Sequence, residues 1–317
     1  MSIDDVVSIV SGGAGTGSPA RGPVRDLVGY AENVPVVQWP EGARIAISLV
    51  INIEEGSEAA VGNGDDANET GFAEVPAGYS DSGQRDLAIE SMYEYGSRAG
   101  YFRLAAVADE FQVPMTAFAC AVALEKNPAI TRSILNHGFD VVSHGYRWED
   151  VTLLSREEER DRIRLALESF DRTLGFRPEG WYCRYGPSVN TRELLVAAGF
   201  RYDCDSYADD LPYFVDVNGA RHLVIPYSLN NNDGKFASDH FGSPREFFEH
   251  LQYEFDMLYA EGVTAPRMMS VGLHLRIAGH PARTKALRDF IRYAKSFPDV
   301  WFTTRRQIAD VWTEQFG

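Results

Sequence analysis

Cysteine is nearly missing from this chain. The three present among 317 residues, Cys120, Cys183 and Cys204, form no Cys-x-x-Cys pair. That excludes a disulfide framework and fits a reducing, cytoplasmic setting, with each thiol read first as a small buried hydrophobe. Positive charge is in deficit as well: 30 Lys and Arg stand against 46 Asp and Glu, for a net charge of −16. Nucleic acid and anionic membrane are therefore not expected as partners, because their phosphates would be repelled. No run reaches the roughly 18 apolar residues that span a bilayer. Residues 1–20 lack the basic start and long apolar core of a signal peptide. No Gly-x-Gly-x-x-Gly follows a strand-like run and no Gly-Lys-Ser/Thr loop occurs, so nucleotide cofactors find no support. A Gly-x-Ser-x-Gly elbow is also missing, which argues against a serine hydrolase.

What the chain has is alternation. Strand-like apolar runs at Ile45–Ile53, Pro114–Phe118, Phe139–Ser143, Gly180–Cys183, Phe200–Cys204, His222–Ile225, Met268–Leu273 and Val300–Thr303 are separated by segments of helical period. The helices carry readable ends. Ser155 with Glu158 forms a capping box and Gly175 closes that segment; Asn190 with Glu193 opens one that stops at Gly199. Ser243, Pro244 and Glu246 open another, with Phe247, Leu251, Phe255 and Leu258 on one face. Repeated strand–helix units predict an α/β fold with a parallel sheet, and seven or eight units favour a barrel over an open sheet. The Gly/Ser run at 11–18 reads as part of a flexible leader over residues 1–24, followed by one domain from 25 to 317. The polar stretch Gly56–Gly83, directly after the first strand, is expected to wall a site.

Polar residues of one kind fall just past the strand ends: Glu54 and Glu55, His144, Arg184, Asp203 and Asp205, and His274. In a parallel barrel these positions meet at one mouth. A carboxylate there can act as base on water, an imidazolium can protonate a leaving nitrogen, and an arginine can orient the carboxylate. The set suits hydrolysis of an unreactive C–N or C–O bond. On an extended chain Glu54 and Glu55 point to opposite faces, so one enters the cavity and the other packs behind it.

These motifs resemble those of the polysaccharide deacetylase superfamily. Val50-Ile51-Asn52-Ile53-Glu54-Glu55-Gly56 resembles its first motif, Ser143-His144-Gly145 its second, Arg184-Tyr185-Gly186-Pro187 its third, the Tyr202–Tyr213 stretch its fourth and Leu273-His274 its fifth. The resemblance implies a distorted (β/α) barrel of about seven parallel strands, in a single domain. It implies Glu54 as base with Glu55 beside it, His274 as acid, and Arg184 orienting the base. The departures, Glu-Glu for Asp-Asp and Trp148 where a His-x-x-x-His metal pair needs its second imidazole, resemble the allantoinase-like members. Those act on small cyclic amides in purine degradation, are regarded as metal-independent and are oligomeric, so a homo-oligomer is expected. The Tyr185-Gly186-Pro187 run, in contrast, looks like the ordinary deacetylases.

The expected activity is therefore hydrolysis of a non-peptide carbon–nitrogen bond in a small cyclic amide, allantoin-like or imide-like. His144 would polarise the carbonyl or orient water. Trp148, Tyr185, Asp205, Asn232 and Asp233 are expected at the substrate, with Asp205 paired to a catalytic histidine. Burial beside Trp148 is expected to raise the pKa of the base. No cofactor is expected; Glu55 and His144 could supply two ligands to a zinc or other divalent ion, and Trp148 cannot supply the third that a catalytic zinc needs. A metal-dependent N-deacetylase of polysaccharide or peptidoglycan, and a barrel that binds a small ligand without turnover, remain as alternatives.

Overall fold

The computed structural model describes residues 22–74, 83–238 and 240–317. Nearly all of the expected leader, including the Gly/Ser run, and residues 75–82 of the polar stretch lie outside them. Among the described residues nine strands join one sheet: β1 Ile45–Ile53, β2 Thr116–Ala119, β3 Asp140–Ser143, β4 Gly180–Trp181, β5 Tyr202–Asp203, β6 Tyr213–Val217, β7 Ala220–Val224, β8 Arg267–His274 and β9 Val300–Thr303. Their order is β6-β7-β5-β4-β3-β2-β1-β8, with β9 added on β1. Every pairing is parallel except that of β6 with β7.

β1 is the spine. All nine of its residues are buried, as expected for a parallel strand covered on both faces. One edge pairs with β8 along its whole length; the other pairs with β9 over Ile45–Ser48 and with β2 over Val50–Ile53. Ile45, Ile47, Leu49, Ile51 and Ile53 face the surrounding helices, while Ala46 and Val50 belong to the barrel interior with Phe118, Val142, Tyr182 and Tyr227. Complete burial of each of those isoleucines contributes about 1.5–3 kcal/mol, and slipping the register by one residue would turn all of them inward. Between β7 and β8 the circle is completed by a single bridge, Asn232 to Gly272. The barrel is distorted there.

All eight expected strands are present. β6 was not expected; it is a half-buried strand in an antiparallel hairpin, turned at Asn218 and Gly219, which have φ of 54° and 84°. Two positive φ values in sequence define the type I′ turn that Asn-Gly favours.

The helix Arg156–Leu174 has the Ser155/Glu158 capping box and ends at Gly175 with φ 80°. The helix Thr191–Ala198 ends at Gly199 as expected, but Asn190 makes no capping bond with its side chain. Along Pro244–Glu261 the residues Phe247, Leu251, Phe255 and Leu258 are buried. Phe248 and Tyr259 meet Tyr293 and Phe297 edge-on and pack against the core, while Tyr253 on the same helix is exposed. A long helical segment, Leu87–Tyr95 and Tyr101–Phe111, is interrupted by one π turn at Gly96–Gly100. No helix among the described residues is long and apolar enough to cross a membrane.

Candidate active site

The parallel ladders set the site. Ile53 pairs with Ala119, Ala119 with Ser143 and Ser143 with Trp181. The next residue on each strand is therefore Glu54, Cys120, His144 and Tyr182, in one row at the carboxyl end of the barrel. His274, opposite Asn52, ends β8 on the other side of β1. Strand alternation sends Glu54 inward with Val50 and Asn52, and sends Glu55 to the helix side.

Glu54 is 1% exposed and lies between both imidazoles: its Oε1 is 3.4 Å from Nε2 of His144 and 3.5 Å from Nε2 of His274. Its Oε2 accepts a 2.7 Å bond from Nη1 of Arg276. Burial pushes its pKa up, but the charges of His274 and Arg276 outweigh burial and hold the carboxyl well below the usual range. The raised pKa expected for the base is found on its neighbour instead. Glu55 is pushed up to about 7 by burial, with the Glu54 charge adding and Arg276 opposing. It borders a separate cleft of about 400 Å³, lined also by Glu58, Tyr93, Arg98 and Lys126.

The two histidines are anchored differently. Nδ1 of His144 donates to the Tyr182 carbonyl at 2.9 Å. A carbonyl can only accept, so a neutral His144 presents a lone pair at Nε2. Nδ1 of His274 donates to Asp233 at 2.7 Å, and Asp233 also accepts from the backbone N–H groups of His274 and Ala278. Burial lowers the pKa of His274, but Glu54 and Asp233 more than compensate, so it is raised. The protonated form is thereby favoured, and in that form Nε2 directs a proton toward Glu54.

Aromatic rings and the loop after β1 wall this centre. The Phe72 ring lies 5.0 Å from that of His274 and 6.3 Å from that of Trp148. Glu69, on the same loop, pairs with Arg184 at 2.6 Å. The guanidinium of Arg184 stacks at 3.8 Å on Trp148 and donates to the Tyr185 hydroxyl.

Two expected roles thus move. Arg184 makes its ion pair with the loop carboxylate of Glu69, and the arginine on Glu54 is Arg276. Asp205 pairs with neither site histidine: it accepts from the Cys183 N–H at 2.7 Å, Asp203 pairs with His222, and Asp233 holds His274. Asn232 joins the wall through the Tyr227 hydroxyl at 3.1 Å. Arg276 was missed although a signal existed: an arginine inside the apolar run Leu273–Ala278, two residues after His274, is rarely buried without a carboxylate. Phe72, Glu69 and Tyr93 left no readable pattern, because they come from an irregular loop and a helix.

The donors do not fit a metal centre. Glu55 and His144, the two candidate ligands, lie on opposite sides of the sheet. Among the described residues no three His, Cys, Asp or Glu side chains are grouped to hold an ion. Trp148 and the Arg276 guanidinium fill the space beside the acid pair.

Comparison with known proteins agrees with this geometry. Residues 82–202 match the polysaccharide deacetylase family model. A Schizosaccharomyces pombe protein described as a polysaccharide deacetylase is 34% identical over 91% of this chain and 97% of its own length. The chain belongs to the polysaccharide deacetylase family and is a hydrolase of carbon–nitrogen bonds with that family's distorted barrel. Two solved structures superpose with a TM-score of 0.89 over 93% of this chain. One is a probable polysaccharide deacetylase from Pseudomonas aeruginosa PAO1, 43% identical and 99% covered; the other is Puue allantoinase, 44% identical and 98% covered.

Proposed function

We propose that this enzyme opens a small cyclic amide, of the allantoin, hydantoin or imide type, by adding water across its C–N bond. The observation that carries the reading is the sealed, aromatic-walled centre. Glu54, His144 and His274 are each less than 5% exposed, under Phe72 and Trp148. The faces of Phe72 and Trp148 suit a small flat heterocycle better than a glycan chain. The likeness to Puue allantoinase supports the same substrate class.

In this mechanism a water lies beside Glu54 Oε1, with one hydrogen accepted by Nε2 of His144. Glu54 takes a proton from that water as its oxygen attacks the amide carbon. The C–N bond of the tetrahedral adduct then breaks, and the leaving nitrogen takes the proton from Nε2 of His274. Glu54 returns its proton to His274 across their 3.5 Å separation. The balance is one water consumed and one C–N bond broken, with a carboxyl and an amine or ureide nitrogen at the two ends of the opened ring. Asp233 keeps His274 oriented and protonated. Trp148 and Tyr185 flank the substrate, and Asn232 holds Tyr227 at the wall. A cytoplasmic setting, a homo-oligomeric state and a place in purine breakdown form part of the same proposal, in keeping with three buried free cysteines.

A panel of allantoin, hydantoins, cyclic imides and N-acetyl sugars, assayed with and without chelator, tests the reading. Ring opening of a cyclic member, unchanged by chelator, is the expected result. Acetate release from the sugars, abolished by chelator, would contradict it and favour the metal-dependent deacetylase.

A further inference from the structure

We propose that Arg276 is the fixed cation of this site, standing in electrostatically for a divalent ion and positioning the Glu54 carboxylate for attack on the substrate.

Four observations carry this. First, the guanidinium is fully buried, with no side-chain surface exposed, and its Nη1 reaches Glu54 Oε2 at 2.7 Å and Glu55 Oε1 at 3.5 Å. A buried arginine is kept only where it is paired. Among the described residues its Nε and Nη2 have no hydrogen-bond acceptor, and its polar bonding there goes to the acid pair. Second, the rest of the group is held by ring faces, Tyr93 at 4.3 Å and Trp148 at 5.1 Å. Trp148 stands where a His-x-x-x-His pair would put its second imidazole, so the residue that removes a ligand also supplies a wall for the arginine.

Third, Arg276 already brings one fixed positive charge to both Glu54 and Glu55, so an added divalent ion would meet carboxylates that are paired. Fourth, the backbone is shaped for it. Arg276 lies in a tight turn, with Ile277 and Ala278 N–H groups bonded to the His274 carbonyl and Ala278 also bonded to Asp233. The π turn brings Gly96 so close that a Cβ there would overlap both Glu55 Oε1 and the backbone nitrogen of Arg276. Arg276 acts through Glu54 and is a positioning residue.

The inference rests on the C–N hydrolase reading for its kinetic test and is independent of it for its binding test. The panel compound that the wild type turns over is assayed with Arg276→Gln, Arg276→Lys and Arg276→Ala. Arg276→Gln should lose about 100-fold in kcat with KM within about threefold, as misplacement of a reacting group does. Arg276→Lys should keep about a tenth of the wild-type rate. Millimolar methylguanidinium should restore Arg276→Ala about tenfold. It should also raise the melting temperature of that variant by about 2 °C, with no rise for the wild type, because it refills the site. Near wild-type kcat in Arg276→Gln, or a wild type activated by stoichiometric Co²⁺, would overturn the proposal. If the wild type turns over nothing on the panel, the substrate reading fails alone, and the melting shift decides for or against the cation site.

Discussion

At the scale of single residues, the chemistry depends on which acid and which base partner the strand ends deliver. The pair Glu54-Glu55 was legible as a pair, and the alternation of a strand predicted that they would part. The sequence could not show that the inward one is held ionised by His274 and Arg276 while the outward one is pushed up to about 7 by burial. That outcome depends on Arg276 and two histidines from distant parts of the chain. The same holds for Asp233. It was visible as a polar turn residue, but its bond to His274 crosses 41 positions. Replacing Asp233 with Asn removes the charge and hydrogen bond that raise the pKa of His274. The alkaline limb of the kcat–pH profile should then move to lower pH, with a loss on the order of 100-fold at the optimum. An unmoved limb would show that His274 is not the acid.

At the scale of elements, the strands were the legible part and the loops were not. β1 could be delimited to the residue from its apolar run and the Glu-Glu that follows, because a strand buried on both faces is apolar nearly throughout, with Ser48 and Asn52 its two exceptions. β6 escaped because it is half exposed and interrupted by Asp216, and its signal was the Asn-Gly turn rather than periodicity. The π turn could not be read either, since it keeps a helical pattern and differs only in its closure. Its glycines are nevertheless required by packing: a Cβ at Gly100 would overlap the Leu275 carbonyl as one at Gly96 would overlap Glu55. Gly100→Ala should cost about 1–3 kcal/mol by urea denaturation. Gly96→Ala should lose activity beyond its loss of stability, because it displaces the acid pair. Equal activity per folded molecule in Gly96→Ala would remove the helix from the account. On the loop after β1, Phe72→Ala should raise KM about tenfold while leaving the melting temperature within a few degrees, as expected for a wall residue with φ of 53° outside the main core.

At the scale of the whole molecule, burying two acids, two imidazoles and an arginine makes stability depend on pH. Glu55 has an ordinary value near 4.5 and a folded value of about 7, so between these the folded state binds more protons than the unfolded one. Stability therefore falls as pH rises through that window, by up to about 3 kcal/mol. His274 adds in the same direction: its raised pKa gives stability that is full below about 6.5 and is lost as pH climbs through the folded value. Glu55→Gln should flatten the lower part of this slope, and urea midpoints measured from pH 4.5 to 8 would detect it; an unchanged slope would locate the linkage elsewhere.

The central claim is that Glu54, set between His144 and His274, adds water to a small cyclic amide. Its most direct test is product analysis by NMR for wild type and Glu54→Gln on allantoin, hydantoin and a cyclic imide, with N-acetylglucosamine alongside. The account predicts a ring-opened product from a cyclic amide with the wild type and a loss of at least about 1000-fold with Glu54→Gln, measured per folded molecule. Acetate from N-acetylglucosamine with intact cyclic amides, or an undiminished rate in Glu54→Gln, would contradict it.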